Sequence, residues 1–158
     1  FNIEAKSQNL DDSLIKSFYN QTLKYYFVDS IHYKEQQKYG SILIEINVDT
    51  NQIIKSNEKN KFIFIDSLAD LRSVLSKPLK MNKGRILYTL SHNILSQDTI
   101  DIIVDRGEIV EASKKRIGIE IYCRGTMGYI PTARFIYIKD SDTWKFISGR
   151  DMFEEKFI

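Results

Sequence analysis

The chain has one cysteine, Cys123, in 158 residues. That excludes an intramolecular disulfide and a cysteine-built zinc cage. Two histidines, His32 and His92, stand far apart, which argues against a histidine-rich metal site. No apolar run approaches the ~20 residues that a membrane-spanning helix needs. An excess of charge of one sign is also missing. Lys and Arg number 23 against 21 Asp and Glu, a net charge of +2. A nucleic-acid binder more often gathers a basic excess on one face, and the short run Ser113-Lys114-Lys115-Arg116 reads as turn solvation. No nucleic-acid partner, cofactor or metal is expected. No phosphate loop and no nucleophile–base pair stands out, so the sequence assigns no chemistry.

What is present is an ordinary globular composition, 42% hydrophobic, with nine Tyr and nine Phe. β-Branched and aromatic residues of this kind suit strands. A chain of this length buries about two-thirds of its unfolded surface as one domain. Residues 1–8 read as a flexible lead-in and residues 9–158 as a single domain. The chain begins at Phe1 rather than Met. The expectation is an exported protein, periplasmic or surface-tethered after removal of a signal segment. A cytoplasmic fragment is the competing reading.

Asn9 or Asp11 caps a helix expected to run to about Val28, with Asp11 and Asp12 at the positive end of its dipole. Leu14, Ile15, Phe18, Thr22, Tyr25 and Tyr26 recur at spacings of three and four and form its apolar face, with Tyr19 flanking. Rings at helical spacing usually pack on a sheet; the functional alternative is that tyrosine hydroxyls reach a cavity. A second short helix closes at Gly40, and His32 within it reads as a surface residue. Ile42, Ile44 and Ile46 alternate in a strand, Phe62 to Ile65 is a short apolar strand, and a hairpin joining them is the simplest arrangement. Ser67 with Asp70 approximates a capping box for a helix whose stripe is Leu68, Leu71, Val74 and Leu75 and which Pro78 ends. Over Arg85–Leu95 the composition predicts a strand and then a turn at Ser91-His92-Asn93.

From Asp98 to Arg150 four strands follow in succession: Thr99–Val104, Arg116–Arg124, Thr132–Lys139 and Thr143–Ser148. Arg106-Gly107 marks a turn or a bulge, with Glu108–Glu111 a continuation of the strand. Ile117, Ile119, Ile121 and Cys123 alternate against Gly118, Glu120, Tyr122 and Arg124, the pattern of an antiparallel sheet with one buried face. Asp140-Ser141-Asp142 is a hairpin turn, and residues from Asp151 onward suggest a helical turn lying back on the sheet. The fold class is α+β: N-terminal helices on a curved antiparallel sheet, ending in a strand meander.

This order of elements, with the aromatic ending Trp144-Lys145-Phe146-Ile147, resembles the nuclear-transport-factor-like superfamily, which includes ketosteroid isomerase. The resemblance covers about residues 11–150. It implies a cone-shaped sheet whose mouth holds a small-molecule pocket. Isomerase-like members use a pocket carboxylate with hydrogen-bonding partners. No residue here matches that constellation one by one, so no catalytic residue is carried over; Asp101 and Glu120 are carboxylates on alternating strand faces.

The most distinctive stretch is Tyr122 to Pro131, with Gly125 and Gly128. Its exposed backbone N–H groups and Arg124 suit an anion; the structural reading is a tight connection with Arg124 paired to an acid. Cys123 shares a face with three isoleucines and reads as a small core hydrophobe rather than a nucleophile. A Ser91/His92/Asp98 grouping has no weight without geometry. The candidate ligand-binding residues are therefore Arg124, Thr126, Tyr129 and Tyr122 of the loop and Tyr25 and Tyr26 of the first helix. The expectation is a non-catalytic domain that binds a small ligand or a partner protein through a pocket or the sheet face, a second copy included. The alternative is a small isomerase- or cyclase-like enzyme using a pocket carboxylate.

Overall fold

The computed structural model describes residues 12–28, 30–75, 82, 84–113, 116–121 and 131–156. Helix α1 spans Asp12–Tyr26, α2 Ser30–Tyr39, α3 Leu68–Val74 and α4 Gly149–Lys156. The strands are β1 Ile42–Ile46, β2 Phe62–Ile65, β3 Ile86–Ser96, β4 Thr99–Ser113, β5 Arg116–Ile121, β6 Ala133–Ile138 and β7 Thr143–Ser148. They form one curved, mostly antiparallel sheet in the order β2-β1-β3-β4-β6-β7, with β5 also on β4. The class is α+β, as the sequence implies.

The expected hairpin over residues 42–65 is overturned. β1 pairs β2 in parallel, Ile42 opposite Phe62, and also pairs β3 in parallel, Leu43 opposite Leu87. Parallel strands are covered on both faces and so read as unbroken apolar runs. Leu43 lies between Ile42 and Ile44, and all three are buried. The α1 side of the sheet takes Ile42, Ile44, Ile46 and Phe62; the α3 side takes Leu43, Ile65, Leu87 and Ile109 with Leu71 and Leu75. The parallel corner is thus a three-layer sandwich.

β3 and β4 form a long antiparallel pair from Ile86–Glu108 to Ser96–Thr99. The expected turn at Ser91-His92-Asn93 does not occur. His92 lies on the inner face against Tyr19 of α1, and Asn93 is exposed on the other, so neither polar group is stranded. β4 likewise runs straight through Arg106-Gly107. Its other edge carries two partners, β6 over Thr99–Ile102 and β5 over Gly107–Ser113. Strand β6 therefore lies on β4 rather than on β5, a departure from a simple meander. Where β6 peels away, the Val104 N–H donates to Thr132 Oγ1 at 2.9 Å instead of to a ladder carbonyl.

α1 fills the hollow of the curve. Ile15, Phe18, Tyr19, Thr22 and Leu23 are buried. Phe18 stacks on Phe135 of β6 at 4.0 Å between centroids and meets the edge of Trp144. Phe27, in the turn after the helix, packs edge-on against Tyr88. The helix stops at Tyr26 because its end is capped: Asn57 and Asn60 side chains both donate to the Phe27 carbonyl. α2 ends as expected, with Gly40 at φ +78° donating to the Gln36 carbonyl. Ser67 caps α3, accepting from the Asp70 N–H at 3.1 Å, but α3 ends at Val74, before Pro78. Gly149 opens α4, with the Ser148 hydroxyl capping its first turn. A Cβ there would lie 2.1 Å from the Pro131 carbonyl oxygen.

Candidate functional site

The loop that the sequence marks as distinctive, with Tyr122, Arg124, Thr126 and Tyr129, lies outside the described residues, as does Cys123. Residues Asn9 and Asp11 lie outside them too, and so do the His32 and Glu120 side chains. Tyr25 and Tyr26 are described, and they diverge. Tyr25 is 36% exposed and packs its ring edge on Phe146. Tyr26 is half-buried against Phe27 and Tyr88. The tyrosine that is buried at the centre of α1 is Tyr19, whose hydroxyl lies 2.7 Å from His92 Nδ1. Among the described residues the α1 side of the sheet is packed with side chains, and the tyrosine hydroxyls of α1 line neither described cleft.

Asp101 is fully buried on the face away from α1, held in a fork by Arg134 Nε and Nη2 at 2.6 and 2.9 Å. A carboxylate so engaged is a structural counter-ion. No group of three or more His, Cys, Asp or Glu residues placed to hold a metal occurs among the described residues.

The unusual electrostatics gather at the other end of the molecule, where the parallel strands begin. Arg85 directly precedes β3 and is only 4% exposed. Its Nη2 donates to the Ser41 carbonyl at 3.2 Å and to Ser41 Oγ at 2.8 Å. Its guanidinium carbon lies 4.7 Å from the centre of the Tyr39 ring. Its Nε is buried with no hydrogen-bond partner. Burial depresses the guanidinium's proton affinity, and Glu35 and Tyr39 oppose that shift. A buried cation with an unmet donor is costly, which makes it a candidate site rather than a routine core arginine.

Arg85 opens onto a cleft of about 440 Å³ lined by Lys38, Tyr39, Ser41, Ile63, Val74, Asn82 and Arg85. That volume falls within the range of small-ligand sites. The alternation of the strands builds it. Ser41 and Arg85 sit just before β1 and β3, and with Ile63 of β2 they face α3, whose Val74 supplies the opposite wall. Lys38 and Tyr39 come from the last turn of α2. Of the seven described lining residues two are cationic and none is acidic.

Glu35 stands about one turn before Lys38 and Tyr39 in α2, and its charge acts on Arg85. Its Oε1 accepts the Ile86 N–H at 2.7 Å. Burial raises the carboxyl above its ordinary range; the Ile86 hydrogen bond and the charges of Arg85, Lys38 and Arg106 lower it, without cancelling the effect. Burial also raises the Tyr88 hydroxyl, with Tyr26 and Glu35 adding to the shift and Arg106 opposing it. Sequence reading missed both Arg85 and Glu35. Arg85 follows a basic loop in which one more cation carries no signal. A second cleft of about 480 Å³, lined by Lys24, Phe27, Val28 and Ser56 to Lys59, holds both charge signs.

Searches of family models, curated proteins and solved structures find no match to this chain.

Proposed function

We propose that the chain is a non-catalytic binding domain whose small-ligand site is the Arg85 cleft. One observation carries this reading: a guanidinium 4% exposed, with Nε unmet, forms part of a cleft whose described lining residues include no acid, while the carboxylate that acts on it, Glu35, is engaged by the Ile86 N–H. The packing of Phe18, Tyr19 and Leu23 into the curve of the sheet argues against a ligand on the α1 side. The resemblance to the cone-forming superfamily stands on the same footing as this reading and is supported by the order of elements. The test is an NMR screen of small-molecule fragments against the labelled protein. Hits are expected to move the amides of Ser41, Ile63, Val74 and Asn82. Hits that map only to α1, or an absence of hits, would defeat the proposal.

A second reading, a small isomerase- or cyclase-like enzyme, is favoured by one feature: Glu35, a carboxyl raised by burial near Tyr88 and Arg106. Carboxylates tuned upward serve as proton-transfer groups. If an enolisation activity is found, Glu35→Gln should abolish it while leaving the thermal midpoint within a few degrees. Activity that survives the substitution would remove this reading.

A further inference from the structure

Within the binding reading, the chemistry of the lining narrows the ligand. Three of the seven described lining residues, Ser41, Asn82 and Arg85, are both polar and deeply buried. They form the polar part of the lining. Ile63 and Val74 form a partly exposed apolar wall. Lys38 and Tyr39 stand at the rim, with the Lys38 ammonium 5.2 Å from the Tyr39 ring centre.

The guanidinium has a spent end and a free end. Nη2 is committed to Ser41, and Nη1 has no hydrogen bond to any described residue. The guanidinium lies over the Tyr39 ring and is tied to Ser41, so little side-chain entropy is lost when a further partner arrives. With Nη2 spent and Nε buried, Nη1 is left to donate to an oxygen of a carboxylate or a phosphate. The apolar wall then separates those two. Inorganic phosphate is hydrated on every side and gains nothing from Ile63 and Val74. A carboxylate with a short alkyl tail places its charge on Arg85 and its tail on the wall, each buried methylene contributing about 0.8 kcal/mol.

We infer that the Arg85 cleft binds a small organic monocarboxylate, its carboxylate on the free edge of Arg85 beside Lys38 and the Ser41 hydroxyl, its apolar tail against Ile63 and Val74. The inference rests on the binding reading, and the probes are chosen to separate the two. The labelled protein is titrated with butyrate, 1-butanol, butylammonium and inorganic phosphate, and the amides of Ser41, Ile63, Val74 and Asn82 are followed. Saturable shifts with butyrate, at least fivefold weaker with each of the other three, are expected. Butanol within fivefold of butyrate would overturn the anion assignment and leave the cleft as an apolar site. Phosphate within fivefold would overturn the tail. No shift with any probe, or shifts elsewhere, would overturn the inference and the binding reading together.

Variants add a second readout. Val74→Asp sets a carboxylate in the wall and should weaken butyrate at least fivefold, and Lys38→Ala should weaken it about twofold. Arg85→Lys keeps the charge and loses the Nη1 donor held over Tyr39, and should weaken it at least tenfold. If Arg85→Lys does not fold, the Val74→Asp titration decides alone: unchanged butyrate affinity there would overturn the inference.

Discussion

Tyr19 of α1 and His92 of β3, 73 positions apart, meet through a 2.7 Å hydrogen bond between the phenol oxygen and Nδ1. Tyr19 is buried, and desolvation pushes its hydroxyl up to about 12. Desolvation lowers His92 below its ordinary 6.5. A histidine with a depressed folded pKa binds more protons when unfolded, so its contribution is intact above about pH 6.5 and is lost as pH falls through the folded value. The thermal midpoint should therefore fall on acidification below pH 6.5, and the fall should be smaller in His92→Phe. Equal pH profiles for the two proteins would refute the assignment. Tyr19→Phe should cost about 1 kcal/mol, the usual worth of one hydrogen bond, measured by urea denaturation.

The aromatic contact between α1 and the far end of the sheet is open to an optical test. Trp144 is the only tryptophan, and Phe18 lies across its ring edge while stacking on Phe135. Phe18→Ala should destabilise by about 3–5 kcal/mol, the range for a deleted core phenylalanine. Trp144 emission should change in the folded state. A loss under 1 kcal/mol would mean that α1 does not hold the curve of the sheet.

The Asp101–Arg134 pair is unequal. Asp101 is 0% exposed and Arg134 30%. Removing the arginine leaves a carboxylate buried without its counter-ion; removing the aspartate leaves a cation with partial access to water. Loss of one partner of a buried pair costs about 3–5 kcal/mol. Arg134→Met is expected in that range and Asp101→Asn below it. The reverse order in chemical denaturation would contradict the burial described.

Two glycines separate space from backbone strain. Gly40 has φ +78° and nothing within 4 Å of a built Cβ. Gly40→Ala should cost only the left-handed backbone penalty, about 1–2 kcal/mol. At Gly149 the backbone is ordinary, but the Cβ would meet the Pro131 carbonyl at 2.1 Å. Gly149→Ala must move α4 or residues 131–132, at or beyond the upper end of the roughly 1–3 kcal/mol of an overpacked site. Melting curves of the two variants should fall in that order.

Much of the fold was legible because local chemistry dictated it. The Ser67 cap, the Gly40 stop and the Asp140-Ser141-Asp142 turn each rest on residues within four positions of one another. Alternation in Ile42–Ile46 gave a strand for the same reason. Parallel pairing of β1 was not legible, since its partners are chosen across residues 47–85 and no short-range signal encodes that choice. The all-apolar Phe62-Ile63-Phe64-Ile65 was the available clue, being the mark of a strand covered on both sides. The candidate cleft was hidden for a related reason. Lys38, Ser41, Ile63, Val74 and Arg85 come from five elements or their junctions, and only the tertiary fold makes Arg85 a buried cation.

The pairing of β1 between β2 and β3 also has a consequence for the order of assembly. β3 and β4 are joined by the two-residue turn Gln97-Asp98 and can zip from that end. β1 meets β3 only after a long stretch of chain has been closed into a loop, and such contacts are slow to form. The Arg85 cleft is walled by the late-arriving strands, so it should come into being last. In pulsed hydrogen-exchange refolding, amides of Leu90 and Val104 should become protected before those of Leu43 and Ile44. Among the described strands the late-arriving ones should then be undone first, and if the cleft binds as proposed, a ligand there should slow that step.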